Sequence, residues 1–413
     1  MKIIQINAVY GKLSTGTNVD ELDRFFRSRG HICVAAFADG KHEESLGRYR
    51  IGSKLGQKMH ALLSRITGLQ GYFSSFATHR FLRYMDSFVP DVVVLNNLHA
   101  NYINLPMLLK YLAKKDIATV AVLHDCWFYT GKCCHYSALC CDKWKTQCSK
   151  CPAKTMYNKS WFFDRSAKIF SDRKKLFNAI PRLSVVAVSD WIWEQAKQSP
   201  VFTNARCLTR IHNWIDTEQF SPVDAEFLKR DTNVNNEKLF LAVATYWDKS
   251  KGISILQKIA ERLCDGERLM VIGRIPKGKS LPNHVVWIPT VDREELPMYY
   301  SMADVFLQPS LEESFGKVTA EAIACGTPVV CFDSTANPEL VGEGCGKVVE
   351  SGDWEAMLSQ ARSIVRQGKN SYSHTCRQFA IERFNTNAIF RQYEEVFLKL
   401  QQVDLCENGA MEK

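Results

Sequence analysis

The chain has 413 residues, which divides into two or three domains at the roughly 150 residues a typical domain uses. Hydrophobic residues make up 46% and charged residues 23%, an ordinary globular balance that excludes the disordered and fibrous classes. The formal charge of +9 is uneven, +14 over residues 1–200 and −5 over the remainder, so any basic face for nucleic acid, an anionic membrane surface or an anionic ligand belongs to the first half. No apolar run approaches the ~18 to 20 residues of a membrane span. The opening MKIIQINAVYG lacks the apolar stretch and cleavage signal of a secretory peptide, and the expectation is a soluble, cytoplasmic chain.

In chain order, IIQIN (3–7) has strand length and is followed by a glycine-bearing loop, GKLSTGT (11–17). VDELDRFFRSRG then places Leu22, Phe25 and Phe26 on one helical face before Gly30 ends the helix. HICVAAF (31–37), DVVVLN (91–96), a helix near 104–115, ATVAVL (118–123) and LSVVAVS (183–189) continue the alternation. After a connecting stretch around 200–235 the rhythm restarts, with strand candidates LFLAVAT (239–245), RLMVIG (268–273), HVVWIP (284–289), DVFLQPS (304–310) and PVVCF (328–332). Apolar strands alternating with helices predict parallel sheets covered by helices, hence an α/β chain of two consecutive Rossmann-like doubly wound domains. In such sheets ligands bind beyond the carboxyl ends of the strands, which places the expected site in a central cleft lined by strand-to-helix loops.

The most informative stretch is PSLEESFGKVTAEAIACGTPVV (309–330), a strand end, a short loop and a helix from about Lys317 that Gly326 and Pro328 terminate. Glu313 precedes the helix and Glu321 lies in its first turns. A loop feeding a helix N-terminus offers backbone N–H groups and a positive dipole end, and Gly316 lets that backbone approach a ligand closely. Two carboxylates would repel a phosphate, so they suit the hydroxyls of a sugar or a ribose, and the combination points to a sugar nucleotide.

With Glu313, Phe315, Gly316 and Glu321 set between ADVFLQPS and EAIACGTPVV, the chain resembles the retaining glycosyltransferases of the GT-B fold, family 4. The resemblance implies sugar transfer from a nucleoside diphosphate of the UDP or GDP type to an acceptor hydroxyl, with retention. It implies Ser314, Phe315, Gly316, Lys317, Val318 and Glu321 as donor-binding residues, Glu313 on the sugar hydroxyls and Glu321 on the ribose. WDKSKG (247–252) is similar to the loop that holds the donor diphosphate, with Lys251 in the lysine position. The arginine position falls at Thr245 or Tyr246, leaving Lys249 and Arg274 as substitutes by proximity alone. HNWIDTEQFSP (212–222) resembles the family's interdomain segment through Asn213, Asp216, Phe220 and Pro222, with Trp214 where a glycine is usual. The departing diphosphate would gain charge that Lys251 and the helix N-terminus stabilise. The chain contains no D-x-D, so a donor site that needs no metal for catalysis is expected.

In the first half, Gly16, with Gly11 as the weaker candidate, matches the glycines that family members place against the donor. His124 and Asp125, directly after a strand, resemble residues lining the acceptor side. The implied domains are 1–205 on the acceptor side, 206–385 for the donor, and a terminal helix in 386–413 crossing back to the first domain.

Seven of the fifteen cysteines lie between Cys126 and Cys151, a local cluster unlike a disulfide scaffold. In TGKCCHYSALCCDKWKTQCSKCP (130–152), Cys148 and Cys151 form a C-x-x-C knuckle that Cys133 or Cys134 with Cys140 or Cys141 would complete as a thiolate site. The segment resembles a cysteine-bearing insertion in a subset of bacterial polysaccharide-assembly transferases, and that likeness favours Cys133, Cys141, Cys148 and Cys151. Structural zinc is the expected metal, with reduced thiols, an iron–sulfur cluster or disulfides as alternatives. Residues 54–83 carry five Lys or Arg, no Asp or Glu, and Phe73, Phe76 and Phe81, a composition suited to an anionic bilayer face and a lipid-linked acceptor. The leading expectation is a peripheral transferase acting on a glycan or lipid-linked acceptor in surface polysaccharide synthesis. The alternatives are a GT-B enzyme with a small-molecule acceptor and a zinc-containing nucleic-acid-binding protein, and no recognised nucleic-acid motif accompanies the second.

Overall fold

The first strand, β1 (Lys2–Tyr10), buries Ile3, Ile4 and Ile6 completely, so both of its faces are covered, as parallel sheets require. This is a computed structural model, and it describes residues 1–40, 47–232, 234, 237–278, 280–282 and 284–408. The chain divides into two units, residues 1–211 with 390–413, and residues 212–389. The division falls after the expected 205 because a short strand at Cys207–Arg210 pairs with the first sheet.

The first unit runs β1, α1 (Leu13–Ser28), β2 (Ile32–Gly40), β3 (Arg48–Arg50), α2 (Lys54–Thr67), α3 (Ser75–Phe88), β4 (Val92–Leu95) and α4 (Leu105–Lys114). It continues through β5 (Ala118–Leu123), α5 (Ser166–Phe177), β6 (Leu183–Ala187), α6 (Asp190–Lys197) and β7 (Cys207–Arg210). Its seven strands lie in the order β3-β2-β1-β4-β5-β6-β7, all parallel. The order reverses direction between β1 and β4, which register Ile4 against Val93 and Ile6 against Leu95. Leu22 and Phe26 of α1 are buried, while Phe25 of the same face is only partly covered.

The second unit contains α7 (Glu226–Asp231), β8 (Lys238–Tyr246), α8 (Ile253–Ala260), β9 (Glu267–Arg274), β10 (Val286–Ile288), α9 (Leu296–Met302) and β11 (Val305–Gln308). α10 (Lys317–Ala324), β12 (Val329–Phe332), β13 (Gly346–Val349), α11 (Trp354–Gln367) and α12 (Asn370–Phe384) follow. Six parallel strands take the order β10-β9-β8-β11-β12-β13, with its own reversal between β8 and β11. A last helix, α13 (Thr386–Asn408), starts in this unit and belongs to the first from Phe390 onward. There Phe397 stacks on Phe26 and Phe390 packs tilted against Phe25, each pair at 5.0 Å, and Glu394 pairs with Arg29 at 3.4 Å and His31 at 3.3 Å. Residues 409–413 of the expected terminal segment lie outside the described residues. Among the described residues no helix is long and apolar enough to cross a membrane.

Candidate functional site

In a doubly wound sheet the two loops leaving the strands at the reversal point diverge and open a crevice. In the second unit these are the loop from Trp247 to Gly252 after β8 and the loop from Pro309 to Gly316 after β11. Both expected charged groups sit on them. Lys251 Nζ donates to Glu313 Oε1 at 2.6 Å, with the lysine 31% and the glutamate 13% exposed. Each partner is held from its own side. Asp248 Oδ1 accepts from the Ser250 and Lys251 N–H groups at 2.9 and 3.0 Å, and the Glu313 N–H donates to Thr335 Oγ1 at 2.8 Å. The loops are also tied to each other, because Leu311 N–H donates to Ser250 O at 2.8 Å.

Gly316 is the residue before α10, with φ of 91°, a left-handed conformation that a side chain would strain. The first bond within the turn is from Thr319 N–H to Gly316 O at 3.0 Å, so the N–H groups of Lys317 and Val318 precede the helical ladder at its positive end. Beneath the loop, Asn337 Nδ2 donates to Ser310 O at 2.9 Å and Gln308 Nε2 to Thr319 Oγ1 at 3.1 Å, fixing strand, loop and helix as one piece. Phe315 is buried against His212 and Phe384, and Ser314 is half-buried. Glu321 is 6% exposed and accepts from Tyr300 OH at 3.0 Å; burial, then the neighbouring carboxylate, raise the Tyr300 phenol far above its ordinary range. Trp214 is buried and receives the Lys317 ammonium 5.4 Å from its ring centre, so the residue standing in the usual glycine position supports the helix start. Lys249 and Arg274 are exposed.

In the first unit the expected loop 11–17 is shorter than anticipated, because α1 begins at Leu13 and Gly16 falls in its first turn. Gly16 is buried there, and a Cβ would come within 2.9 Å of Val9 Cγ2, so close strand–helix packing accounts for this glycine. Gly11, with φ of 65° and nothing within 4 Å of a Cβ, keeps open space beside it. His124 Nε2 meets Asn96 Oδ1 at 2.9 Å. Asp125 pairs with His99 Nε2 at 3.0 Å and accepts from the Trp127 N–H at 2.8 Å. Burial would raise the Asp125 carboxyl, but the His99 ring and the Trp127 N–H outweigh it and hold the group below the usual carboxylate range. His99 and Asn96 follow β4, and their polar types give no sign in the sequence that they would meet residues following β5.

The doubled cysteines separate. Cys133, Cys141, Cys148 and Cys151 line one cavity with room for about one water molecule, whereas Cys134 faces Asp125 and Cys140 is exposed. Cys133 beside Cys151 favours the Cys151 thiolate and draws that thiol down, while burial lifts Cys148 to about 12. Gly131 N–H points at Cys148 Sγ from 3.3 Å, the kind of backbone donor that supports a thiolate ligand. The four sulfurs share this lining, but among the described residues the first unit's group whose ligand atoms all lie within 4.8 Å of one another is His99, Asp125 and Cys134.

Residues 224–383 match the family model described as glycosyl transferases group 1. A relative, the "Putative colanic acid biosynthesis glycosyl transferase WcaC" of Escherichia coli, is 24% identical over 290 residues, covering 67% of this chain and 68% of its own. An uncharacterized 41.2 kDa protein in the cps region of Klebsiella pneumoniae is 28% identical over 173 residues, 40% of this chain and 48% of its own. The chain thus spans about half or less of the length of the first curated relatives it matches. Among solved structures, Anabaena HepE in complex with UDP-glucose superposes with a TM-score of 0.68 at 16% identity, covering 97% of this chain and 100% of that one. Residues 224–383 are therefore similar to that family, and the two parallel-sheet α/β units have a fold of the GT-B type.

Proposed function

We propose that this chain is a retaining hexosyltransferase of family 4 that moves a sugar from a nucleoside diphosphate to an acceptor hydroxyl in bacterial surface-polysaccharide or lipid-linked glycan synthesis, at the cytoplasmic face of a membrane. The observation that carries it is the Lys251–Glu313 pair, set beside the Gly316 helix start at the reversal of the second sheet. The relatives named for colanic acid synthesis and the cps region, and a neighbour solved with UDP-glucose, support the same reading.

On this reading the donor diphosphate lies between Lys251 and the N–H groups of Lys317 and Val318. A phosphate arriving at Lys251 competes with Glu313 for the ammonium, which frees the Glu313 carboxylate for sugar hydroxyls. Glu321, kept in one orientation by Tyr300, accepts from the ribose. As the anomeric bond breaks, the diphosphate gains negative charge, and the preset cation and helix end stabilise it without reorganisation. The leaving phosphate oxygen takes the acceptor proton, so no separate base is needed, and His124 and Asp125 orient the acceptor. Lys249 and Arg274 are the available second cations near the diphosphate.

The test is donor hydrolysis screened over UDP-, GDP- and ADP-sugars, with Lys251→Ala and Glu321→Ala alongside. Turnover of one donor class that both variants impair is the expected result; hydrolysis by both variants at the wild-type rate would sink the assignment. For the cysteines we propose structural zinc held by Cys133, Cys141, Cys148 and Cys151, which would pin the insertion after β5. Carefully prepared protein carrying under half an equivalent of zinc would count against it.

A further inference from the structure

Three side-chain donors stand four residues apart along α12, Lys369 immediately before it, then Ser373 and Arg377, and that spacing puts them on one helical face. Each of them ends on a backbone carbonyl of another element. Lys369 Nζ donates to Tyr300 O at 3.3 Å and to Ser301 O, in the last turn of α9. Ser373 Oγ donates to Gly326 O at 2.8 Å and Arg377 Nη1 to Ala324 O at 3.0 Å, at the end of α10. The Arg377 guanidinium also reaches Phe220 O at 2.7 Å and Thr217 O at 2.6 Å. The last carbonyls of a helix have no partner inside it and carry the negative end of its dipole, so cationic donors placed there hold the helix end.

The two helices held in this way carry the two ends of one hydrogen bond. Tyr300 of α9 is fully buried, and its hydroxyl donates to Glu321 Oε2 of α10 at 3.0 Å. The Tyr300 carbonyl also accepts from the buried Thr327 Oγ1 at 2.5 Å, and the rings of Phe220 and Phe306 stand 6.2 and 5.7 Å from the phenol. A phenol packed on its faces has no freedom of its own, so the position of its backbone sets the position of its hydroxyl. α9 has seven residues, too few to hold themselves in place by helical bonds alone. Lys369 is the side chain that ties its end to α12.

We propose that Lys369 is a positioning residue for Glu321: with Ser373 and Arg377 it sets α9 against α10, and Tyr300 then turns the Glu321 carboxylate to the orientation that accepts from a ribose. This rests on the transferase reading, in which Glu321 meets the ribose of the donor. Burial lowers the Lys369 ammonium to about 8. The groups that face it are Cys325 at the end of α10, Asp304 before β11, Cys376 of α12 and Lys229 of α7. Burial lifts Cys325 to about 12, and contact with Cys345 and burial lift Cys376, so neither thiol ionises beside Lys369 between pH 7 and 9. Asp304 accepts from the Leu239 N–H at 2.8 Å and Lys229 donates to Glu226 at 2.9 Å. As the pH rises through about 8, a charged donor becomes a neutral amine and its hold on the two carbonyls weakens.

The test reads ribose recognition separately from folding. Titration calorimetry compares UDP, GDP and ADP with the 2′,3′-dideoxy form of each, and the ratio of the two affinities for one base measures the hydrogen bonds to the ribose. Partial unfolding lowers both affinities alike and leaves the ratio unchanged. Wild-type protein is expected to prefer one ribonucleotide about tenfold over its dideoxy form at pH 7. Lys369→Met lowers that ratio about threefold, Lys369→Arg restores most of it, and in a Glu321→Ala background Lys369→Met changes it no further. The wild-type ratio declines from pH 7 to pH 9, whereas that of Lys369→Arg stays level. A wild-type preference that Lys369→Met retains in full would overturn the positioning role and leave the transferase reading standing. Where Lys369→Met does not fold, the pH series decides by itself, a level wild-type ratio overturning the proposal. Wild-type protein that binds none of the three diphosphates, or binds ribose and dideoxy forms alike, would remove the donor reading of Glu321 and the proposal with it.

Discussion

The loops after β8 and β11 and a cavity in the first unit where β3, α2 and α3 meet, lined by Arg48, Arg50 and Arg80, both gather positive charge, but they dispose of it differently. In the second unit Lys251 is neutralised by Glu313 at 2.6 Å, and each is anchored by Asp248 or Thr335, so the polar groups satisfy one another before any ligand arrives. In the first unit Arg50 Nε and His60 Nε2 stay buried without partners among the described residues. In the second unit charge is balanced by a partner across two loops, whereas in the first the two nitrogens are simply buried and burial keeps the His60 ring neutral.

The sharpest way to break the comparison is to remove the exchangeable cation. Lys251→Ala is expected to lower donor turnover by about 10²- to 10³-fold, the scale of losing one preset donor to developing charge, read as kcat in a donor-hydrolysis assay. A loss confined to KM would mean that Lys251 only binds the donor.

Proton uptake tests the region of unpaired donors. Burial lowers His60 to about 4 from an ordinary 6.5, so the folded protein keeps the ring neutral while the unfolded chain binds a proton between those values. Stability from this group is complete above about pH 6.5 and falls as the pH drops towards 4, by about 3 kcal/mol in all. Urea unfolding of the first unit across that range should therefore lose its steepest acid dependence in His60→Asn. A wild-type slope in the variant would show that the carboxylates dominate instead.

Glu321→Ala removes a buried acceptor and leaves the Tyr300 hydroxyl unsatisfied, a cost of about 1–3 kcal/mol in chemical unfolding. Pairing it with Tyr300→Phe separates the roles: the double variant should recover stability without recovering donor affinity. The cysteines offer a contrast between neighbours, since Cys141→Ser should lose bound zinc on mild chelation while Cys140→Ser retains it. Equal zinc in both would overturn the quartet. At the small end, Gly16→Ala forces a methyl towards Val9 and should cost about 1–3 kcal/mol, measured by thermal unfolding.

Much of this was legible along the chain because its causes are local. Continuous apolar strands between amphipathic helices dictate parallel sheets, since only elements buried on both faces tolerate such runs. The stretch from Pro309 to Pro328 carries strand, loop, left-handed glycine and helix in sequence, so Glu313, Gly316 and Glu321 are placed by one local fold, whereas Lys251 was assigned by resemblance alone and its pairing with Glu313 is tertiary. What the sequence left open lies where partners are distant. The choice within Cys133–Cys134 and Cys140–Cys141 depends on the turns that aim each sulfur, and the His99–Asp125 pair joins two strands that only the sheet order makes adjacent. The division at Ile211, the packing role of Gly16 and the cavity of Arg50, His60 and Arg80 are likewise tertiary outcomes. Periodicity records which face of an element is buried, but the identity of the group that meets it is decided only when strand order and loop geometry bring remote segments together.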